Sequence, residues 1–238
     1  VVELGGAIDA TFKVDFSACE DASENGILAL TNSRNEQIDS ENYTYDKVTK
    51  VLKIKSAYLN TLFAGENIFK LVTSRNAVTV NVDIATKFIY TADEIAAIND
   101  SVDALSGYYV LMNDIDMTGV EFEGFGSLES PFTGSFDGNG HTIKNPVVIT
   151  NDDNTKGFFN ATKGAKIKNL GISNFSFSGS QANGNKSTDL GGFAGSAKET
   201  TFDQCYLTGK VVGRDHVGGF VGGNCSNVTI TNSFVNAE

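Results

Sequence analysis

The segments GFFNA from Gly157, GGFAGS from Gly191 and GGFVGGN from Gly218 repeat one glycine-phenylalanine pattern along the chain. A second apolar segment, of the form Ile/Phe-x-x-x-x-Ile/Leu/Val, recurs beside it. It is found as IKNPVV from Ile143, IKNLGI from Ile167, FDQCYL from Phe202 and ITNSFV from Ile230, with starts 24, 35 and 28 residues apart. Repeats with a period of about 20 to 50 residues are typical of solenoids, in which each repeat stacks on the next.

A third apolar pair completes each repeat: Phe175 and Phe177 in one, Val211 and Val212 in the next. Each repeat therefore holds three short strands separated by Gly or Asn, which tolerate the positive φ of tight turns. This pattern predicts one rung of a three-sided, right-handed β-helix. Equivalent residues of stacked rungs lie about 4.8 Å apart, so we expect two interior columns, one of Phe158, Phe193 and Phe220 and one of the Ile and Phe residues that begin the second segments.

The longest insertions occur at the same position in successive repeats, just before the next glycine-phenylalanine segment. They are TNDDNTK from Thr150, SGSQANGNKSTD from Ser178 and GRDH from Gly213. We expect these loops to project from one side and to contact a glycan or a host-surface ligand, because loops on a rigid scaffold often carry function. Simple solvated connections are the alternative, since long loops are tolerated thermodynamically. The candidate ligand-contact residues are Asp152, Asp153, Asn183, Asn185, Asp189, Arg214, Asp215 and His216.

Residues 1–86 show a different pattern, in which apolar and polar residues alternate with the period of two of half-buried strands. About seven strands with short turns predict an Ig-like β-sandwich, and Ser56–Asn67 predicts one helical turn. Six of these segments are Thr11–Phe16, Ile27–Leu30, Tyr43–Tyr45, Val51–Lys55, Phe69–Thr73 and Ala77–Ile84.

The segment after this sandwich opens the repeat region, residues 87–238. Thr91 and Glu94 have the spacing of a capping box, which predicts a helix beginning near Ala92 and a cap over residues 92–104. Such a helix would cover the unpaired backbone N–H and C=O groups at the edge of the first rung. Beyond it, Asp114 and Asp116 could supply two oxygen ligands to calcium, or hydrogen bonds to a turn.

The composition excludes several functions. The net charge of -11 and the lack of a basic cluster disfavour nucleic-acid binding. No run reaches the roughly 18 apolar residues of a membrane span, and a signal peptide is expected to have been removed. The three cysteines, Cys19, Cys205 and Cys225, lack metal or redox spacing and are expected to be buried thiols. The ending ITNSFVNAE stops within a rung, so the rest of a longer polypeptide is an expected partner.

Catalytic patterns are also missing from the sequence. His141 and His216 lie about three rungs apart, which disfavours a zinc site or a Cys/His pair. The residues 137–140, DGNG, predict a tight turn rather than a phosphate loop. The acids Asp152, Asp153, Asp189, Asp203 and Asp215 fall in polar loops rather than in a visible pair. We therefore expect no enzyme activity, no cofactor and no metal.

Two resemblances add to this interpretation. FTGSFDGNGHTIKN from Phe132, together with GGFVGGN, resembles the GLUG-repeat family over about Phe88 to Glu238. That family implies bacterial surface proteins, including adhesin-like proteins and the non-catalytic region of immunoglobulin A peptidases, whose HExxH motif is absent here. The segment Asn42–Val72 resembles the Ig-like, carbohydrate-binding module of the X-two type, which implies a spacer or a weak polysaccharide contact. Tyr43, Tyr45 and Tyr58 are then either a sugar-stacking platform or ordinary core residues.

The expected function is that of a non-catalytic, extracellular or cell-surface bacterial segment that presents rigid repeats for adhesion or spacing. A carbohydrate-binding module, or an accessory region of a larger polysaccharide- or peptide-cleaving enzyme, is the alternative.

Overall fold

The structure is a computed structural model that describes residues 1–14, 27–73, 76–149, 155–178, 189–213 and 215–238. The chain forms two compact units, Val1–Lys87 and Phe88–Glu238. Strands dominate both units, and the helices are one or two turns long, so the predicted all-β class is confirmed.

The first unit contains two sheets, with strand orders β1-β7-β6-β3 and β2-β5-β4 among its described residues. Its strands are β1 (Val2–Glu3), β2 (Ala10–Lys13), β3 (Ile27–Asn32), β4 (Tyr43–Asp46), β5 (Val51–Ile54), β6 (Gly65–Thr73) and β7 (Ala77–Ala85), with helix α1 (Ser56–Leu59) and a 3-10 turn (Ser40–Asn42). All pairings are antiparallel except β1 with β7. The predicted alternation is confirmed in β7, where Val82 and Ile84 are buried and Asn81 is exposed.

The strands of the second unit are shorter and pair in parallel. They are β8 (Lys87–Ile89), β9 (Tyr108–Leu111), β10 (Ile115–Asp116), β11 (Ser135–Asp137), β12 (Thr142–Lys144), β13 (Val147–Ile149), β14 (Phe159–Lys163), β15 (Lys166–Lys168), β16 (Gly171–Ser178), β17 (Leu190–Gly191), β18 (Ala194–Lys198), β19 (Thr201–Asp203), β20 (Tyr206–Val212), β21 (Val217–Gly218), β22 (Thr229–Thr231) and β23 (Phe234–Ala237). Helix α2 (Ala92–Ala96) and 3-10 turns at Ala97–Asp100 and Ala104–Ser106 lie between β8 and β9.

These strands form three main ladders. The first ladder runs β8-β9-β11-β15-β19-β22, the second runs β10-β12-β16-β20-β23, and the third pairs β14 with β18. Apolar residues of equal register face each other along the first ladder, as Phe136, Ile167 and Phe202 do. The second ladder likewise aligns Ile143, Ile172 and Leu207. Each ladder therefore contributes a continuous column to one core.

The predicted register of the glycine-phenylalanine segments is confirmed. The Phe158 N–H donates to Gly192 O at 3.2 Å, and the Phe193 N–H donates to Phe220 O at 2.9 Å. The rings of Phe193 and Phe220 stack with centroids 4.5 Å apart.

The predicted alignment of Ile143 with Ile167 is wrong. Ile143 pairs with Ile172 in the second ladder, and the residue level with Ile167 in the first ladder is Phe136. The reason is a corner inside the predicted strand: Asn169 has a φ of 52°, so Ile167 and Ile172 belong to different ladders. Gln204 and Asn232 turn the following repeats in the same way, with φ values of 54° and 50°.

The third apolar pair is also shifted from its predicted alignment. Phe177 lies level with Val211, but Phe175 lies level with Gly209 across a register shift. Val212, which is level with Ser178, is partly exposed and outside the core. The irregularity arises because Asn174, with a φ of 51°, bends β16 between Ile172 and Phe175.

Helix α2 begins at Ala92 with the capping box that the sequence predicts. The Glu94 N–H donates to Thr91 Oγ1 at 3.3 Å, and the Thr91 N–H donates to Glu94 Oε2 at 3.2 Å. Ile95 and Ile98 are buried in the core of the second unit, so this helical segment packs against the stacked strands.

Candidate functional site

The segments that flank the predicted loops lie in one column. Lys156 forms a parallel bridge with Leu190, and Leu190 pairs with Val217. The Lys156 N–H donates to Asp189 O at 2.9 Å, and the Leu190 N–H donates to His216 O at 3.2 Å. We name this column, formed by Thr155, Lys156, Asp189, Asp215 and His216, the loop edge.

Of the predicted ligand-contact residues, Asp189, Asp215 and His216 are thus brought together at the loop edge. The others lie outside the described residues: Asp152, Asp153, Asn183, Asn185 and Arg214.

A hydrogen-bonded pair lies at the centre of the loop edge. His216 Nδ1 lies 2.8 Å from Asp189 Oδ1. The carboxylate is 14% exposed and the imidazole is 60% exposed, so a mostly covered acid orients a ring that faces solvent. His216 has a φ of 48°, and the Asp189 carboxylate lies close over Gly223, where a side chain would displace it. Close packing therefore fixes a surface hydrogen-bonding group in one orientation.

A cleft of about 460 Å³ opens beside the Lys156 end of the loop edge. Polar residues dominate its lining, which consists of Asn99, Leu105, Glu123, Gly124, Gly126, Ser127, Leu128, Glu129, Ser130, Thr155, Lys156 and Asn160. Carboxylates, an ammonium group and hydroxyls together can bind a hydroxylated ligand by hydrogen bonding.

Two asparagines, which sequence reasoning missed, hold the wall of this cleft. Asn99 Nδ2 donates to Gly124 O at 2.6 Å, and its Oδ1 accepts from the Gly126 N–H at 2.9 Å. Asn160 Nδ2 donates to the carbonyl oxygens of Glu123 and Gly126, both at 2.9 Å. The sequence signal for Asn160 is that it is the polar residue inside the apolar GFFNA segment, because a buried amide needs hydrogen-bond partners.

The carboxylates of Asp114 and Asp116 are engaged by neighbouring side chains. Asp114 Oδ2 lies 2.8 Å from Lys144 Nζ, and Asp116 Oδ1 accepts from Asn145 Nδ2 at 2.9 Å. Hydrogen bonds from Asn145 and Thr118 lower the pKa of Asp116 from 3.8 to about 2. Asp116 also accepts the turn hydrogen bond of the Thr118 N–H at 2.9 Å, whereas Asp114 accepts from the Thr142 N–H of the next repeat at 3.0 Å. Among the described residues, no three His, Cys, Asp or Glu side chains are grouped so that they could hold a metal ion.

Other acids and the cysteines take structural positions. Asp203 accepts from Thr231 at 2.7 Å and from Asn232 at 2.9 Å, and these bonds lower its pKa. Burial raises the pKa of the Cys205 thiol to about 11, as expected for a structural cysteine. Cys225 is exposed, so the prediction of a buried thiol is wrong there, because the residue lies outside the strands, next to a bend, where its Sγ contacts Gly223 O at 2.9 Å. Cys19 lies outside the described residues.

The three tyrosines considered for sugar stacking lie partly buried against the core of the first unit. The Leu30 N–H donates to Tyr43 Oη at 3.3 Å, and the Tyr58 ring lies 6.4 Å from that of Phe69. Tyr45 shares the inward face of β4 with Tyr43. These positions agree with the interpretation as core residues.

The chain is similar to halomucin of Haloquadratum walsbyi. The two are 34% identical over 148 residues, which covers 56% of this chain and 2% of halomucin. No protein-family model matches the chain, and no solved structure matches it significantly. Among the described residues, none of the helices has the length and apolar character needed to span a membrane.

Proposed function

We propose that the second unit is a β-helix built from GLUG-type repeats and that the first unit is an Ig-like sandwich. The parallel ladders of the second unit support the first assignment, because successive strands of one ladder are about one repeat apart in sequence. The two small, mainly antiparallel sheets of the first unit support the second.

The function that the geometry supports best is that of a non-catalytic segment of an extracellular surface protein, which presents the loop edge for adhesion to glycans. The observation that carries this proposal is the Asp189–His216 pair, held at the centre of a column into which three loop-flanking segments converge. The similarity to a protein named as a mucin agrees with an extracellular location.

The test is glycan binding by the whole chain, measured by affinity electrophoresis and calorimetry with mucin glycans and with plant and bacterial polysaccharides. We expect saturable binding that falls about tenfold or more in His216→Ala and Asp189→Asn, since truncating a central contact typically costs over 1 kcal/mol. His141→Ala, which removes the other histidine, is the matched control and should bind normally. Equal binding by all variants, or no binding to any glycan, would refute the assignment of the loop edge.

A further inference from the structure

The outer face of the second ladder carries two aromatic side chains in register. Tyr206 and Phe234 are paired across β20 and β23, and both point away from the core, because Leu207 and Val235 alternate inward. Phe234 is 59% exposed. An exposed ring on a flat sheet is a candidate contact for a partner.

The two rings form one continuous surface. Their centroids are 5.5 Å apart and their planes differ by 10°. Tyr206 reaches across β16, where its ring occupies the space above Gly171, and its Oη shares a hydrogen bond of 2.6 Å with Thr142 Oγ1 in β12. We name Thr142, Gly171, Tyr206 and Phe234 the aromatic strip. It crosses four strands and is therefore about 14 Å long at the usual strand spacing.

A row of polar residues runs beside the aromatic strip. It lies two positions further along each strand and hence on the same face of the sheet. The row consists of Lys144, Ser173, Thr208 and Asn236. Ammonium, hydroxyl and amide groups thus flank the ring surface along its length.

We propose that the aromatic strip binds a neutral polysaccharide chain that lies across the strands. The rings offer apolar surface to the C–H faces of the sugars, and the polar row hydrogen-bonds their hydroxyls. The net charge of -11 disfavours a polyanion and a second copy of the chain, since like charges repel. The strip lies at the start of β16 and β20, whereas the loop edge follows the ends of these strands. The proposal therefore does not depend on glycan binding at the loop edge.

The experiment uses the whole chain in gels that contain mixed-linkage β-glucan, xyloglucan or galactomannan, with alginate as the anionic comparison. We expect retardation by at least one neutral polymer and none by alginate. Phe234→Ala should weaken the binding about tenfold or more, because aromatic anchors dominate such contacts. Tyr206→Phe, which keeps the ring, should bind within about twofold of the parent chain.

Val102→Ala, which removes an exposed apolar side chain elsewhere in the second unit, should have no effect. Circular dichroism checks that each variant is folded, and Phe234→Ala remains informative even if Tyr206→Phe does not fold. The proposal is overturned if no neutral polymer binds, if Phe234→Ala binds normally, or if light scattering shows a dimer that this substitution dissociates. Loss of binding in His216→Ala with normal binding in Phe234→Ala would support the loop edge and refute the strip.

Discussion

The two units reach a β-structure by different routes. In the first unit, two of the strand pairings join consecutive strands, β4 with β5 and β6 with β7, as in the hairpin that pairs Asp46 with Val51. In the second unit, the residues paired along the first ladder are 31, 35 and 28 positions apart, from Phe136 to Ile167, Phe202 and Ile230. The register of these two hairpins therefore depends on local turns, whereas that of the second unit depends on the length of every corner in a whole repeat.

The hydrophobic cores of the two units also differ. The first unit is packed mainly with aliphatic side chains around Phe69, whereas the second holds a cluster of phenylalanine rings. Phe159 lies at its centre, with ring centroids 5.1 to 6.0 Å from those of four neighbours. Ring-to-ring contacts between repeats take the place of the hairpins that are absent from the parallel ladders.

The largest expected effect tests this dependence on rings. Phe159→Ala should lower the free energy of unfolding of the second unit by about 3–5 kcal/mol, because it leaves a cavity among four rings. Hydrogen–deuterium exchange of peptides in increasing urea measures each unit separately, and the first unit should be unchanged. Phe63→Ala, at a side chain 91% exposed, is the control and should change either unit by less than about 0.5 kcal/mol. A loss below about 1 kcal/mol in Phe159→Ala would contradict the role of the cluster.

A smaller effect tests the corners. A side chain at Gly138 would overlap the Asn169 carbonyl oxygen at the corner of the next repeat, so Gly138→Ala should destabilise the second unit by about 1–3 kcal/mol. Gly164→Asn is the matched control, because its φ of 66° suits Asn and its Cβ would meet no atom within 4 Å. The equivalent position in a later repeat is Asn227, with a φ of 52°. Urea unfolding should show little change in the free energy of unfolding for Gly164→Asn. Equal losses of stability in Gly138→Ala and Gly164→Asn would show that corner packing does not set the register.

The smallest effect compares one acid in each unit. Asp46 accepts from Val48 and Thr49 within its own turn, whereas Asp116 accepts from Asn145 in the next repeat. Both pKa values are lowered, that of Asp116 to about 2. The stabilisation from each carboxylate is complete above its ordinary pKa of 3.8 and is lost as the pH falls through the folded-state pKa.

Asp116→Asn should therefore reduce the loss of stability of the second unit between about pH 5 and pH 2, and Asp46→Asn should do the same for the first unit alone. Hydrogen–deuterium exchange measured across this pH range checks both predictions, and Asp100→Asn is the control at an exposed acid. The hydrogen bonds assigned to Asp46 and Asp116 would be contradicted if either variant altered the stability of the other unit, or if the pH dependence stayed the same.

Much of the secondary structure could be predicted because its signals are local. The alternation in β7 and the capping box of Thr91 need only short spacings, and the column of Phe158, Phe193 and Phe220 follows from one short motif that is repeated. The position of Ile143 could not be derived from its motif, because IKN occurs on both sides of a corner. The DGNGH turn between Phe136 and Ile143 is two residues longer than the connection between Ile167 and Ile172, and this difference moves the motif into the second ladder.

The sequence by itself determined the all-β class, most strand segments and the residues able to turn a corner, because side-chain periodicity and positive φ act over a few residues. The tertiary structure decided which strands share a ladder, since parallel partners lie about one repeat apart and every intervening turn length counts. It also decided the site: the amides of Asn99 and Asn160 shape the cleft, and Gly171 leaves room for the ring of Tyr206. Those contacts exist only once distant segments are stacked.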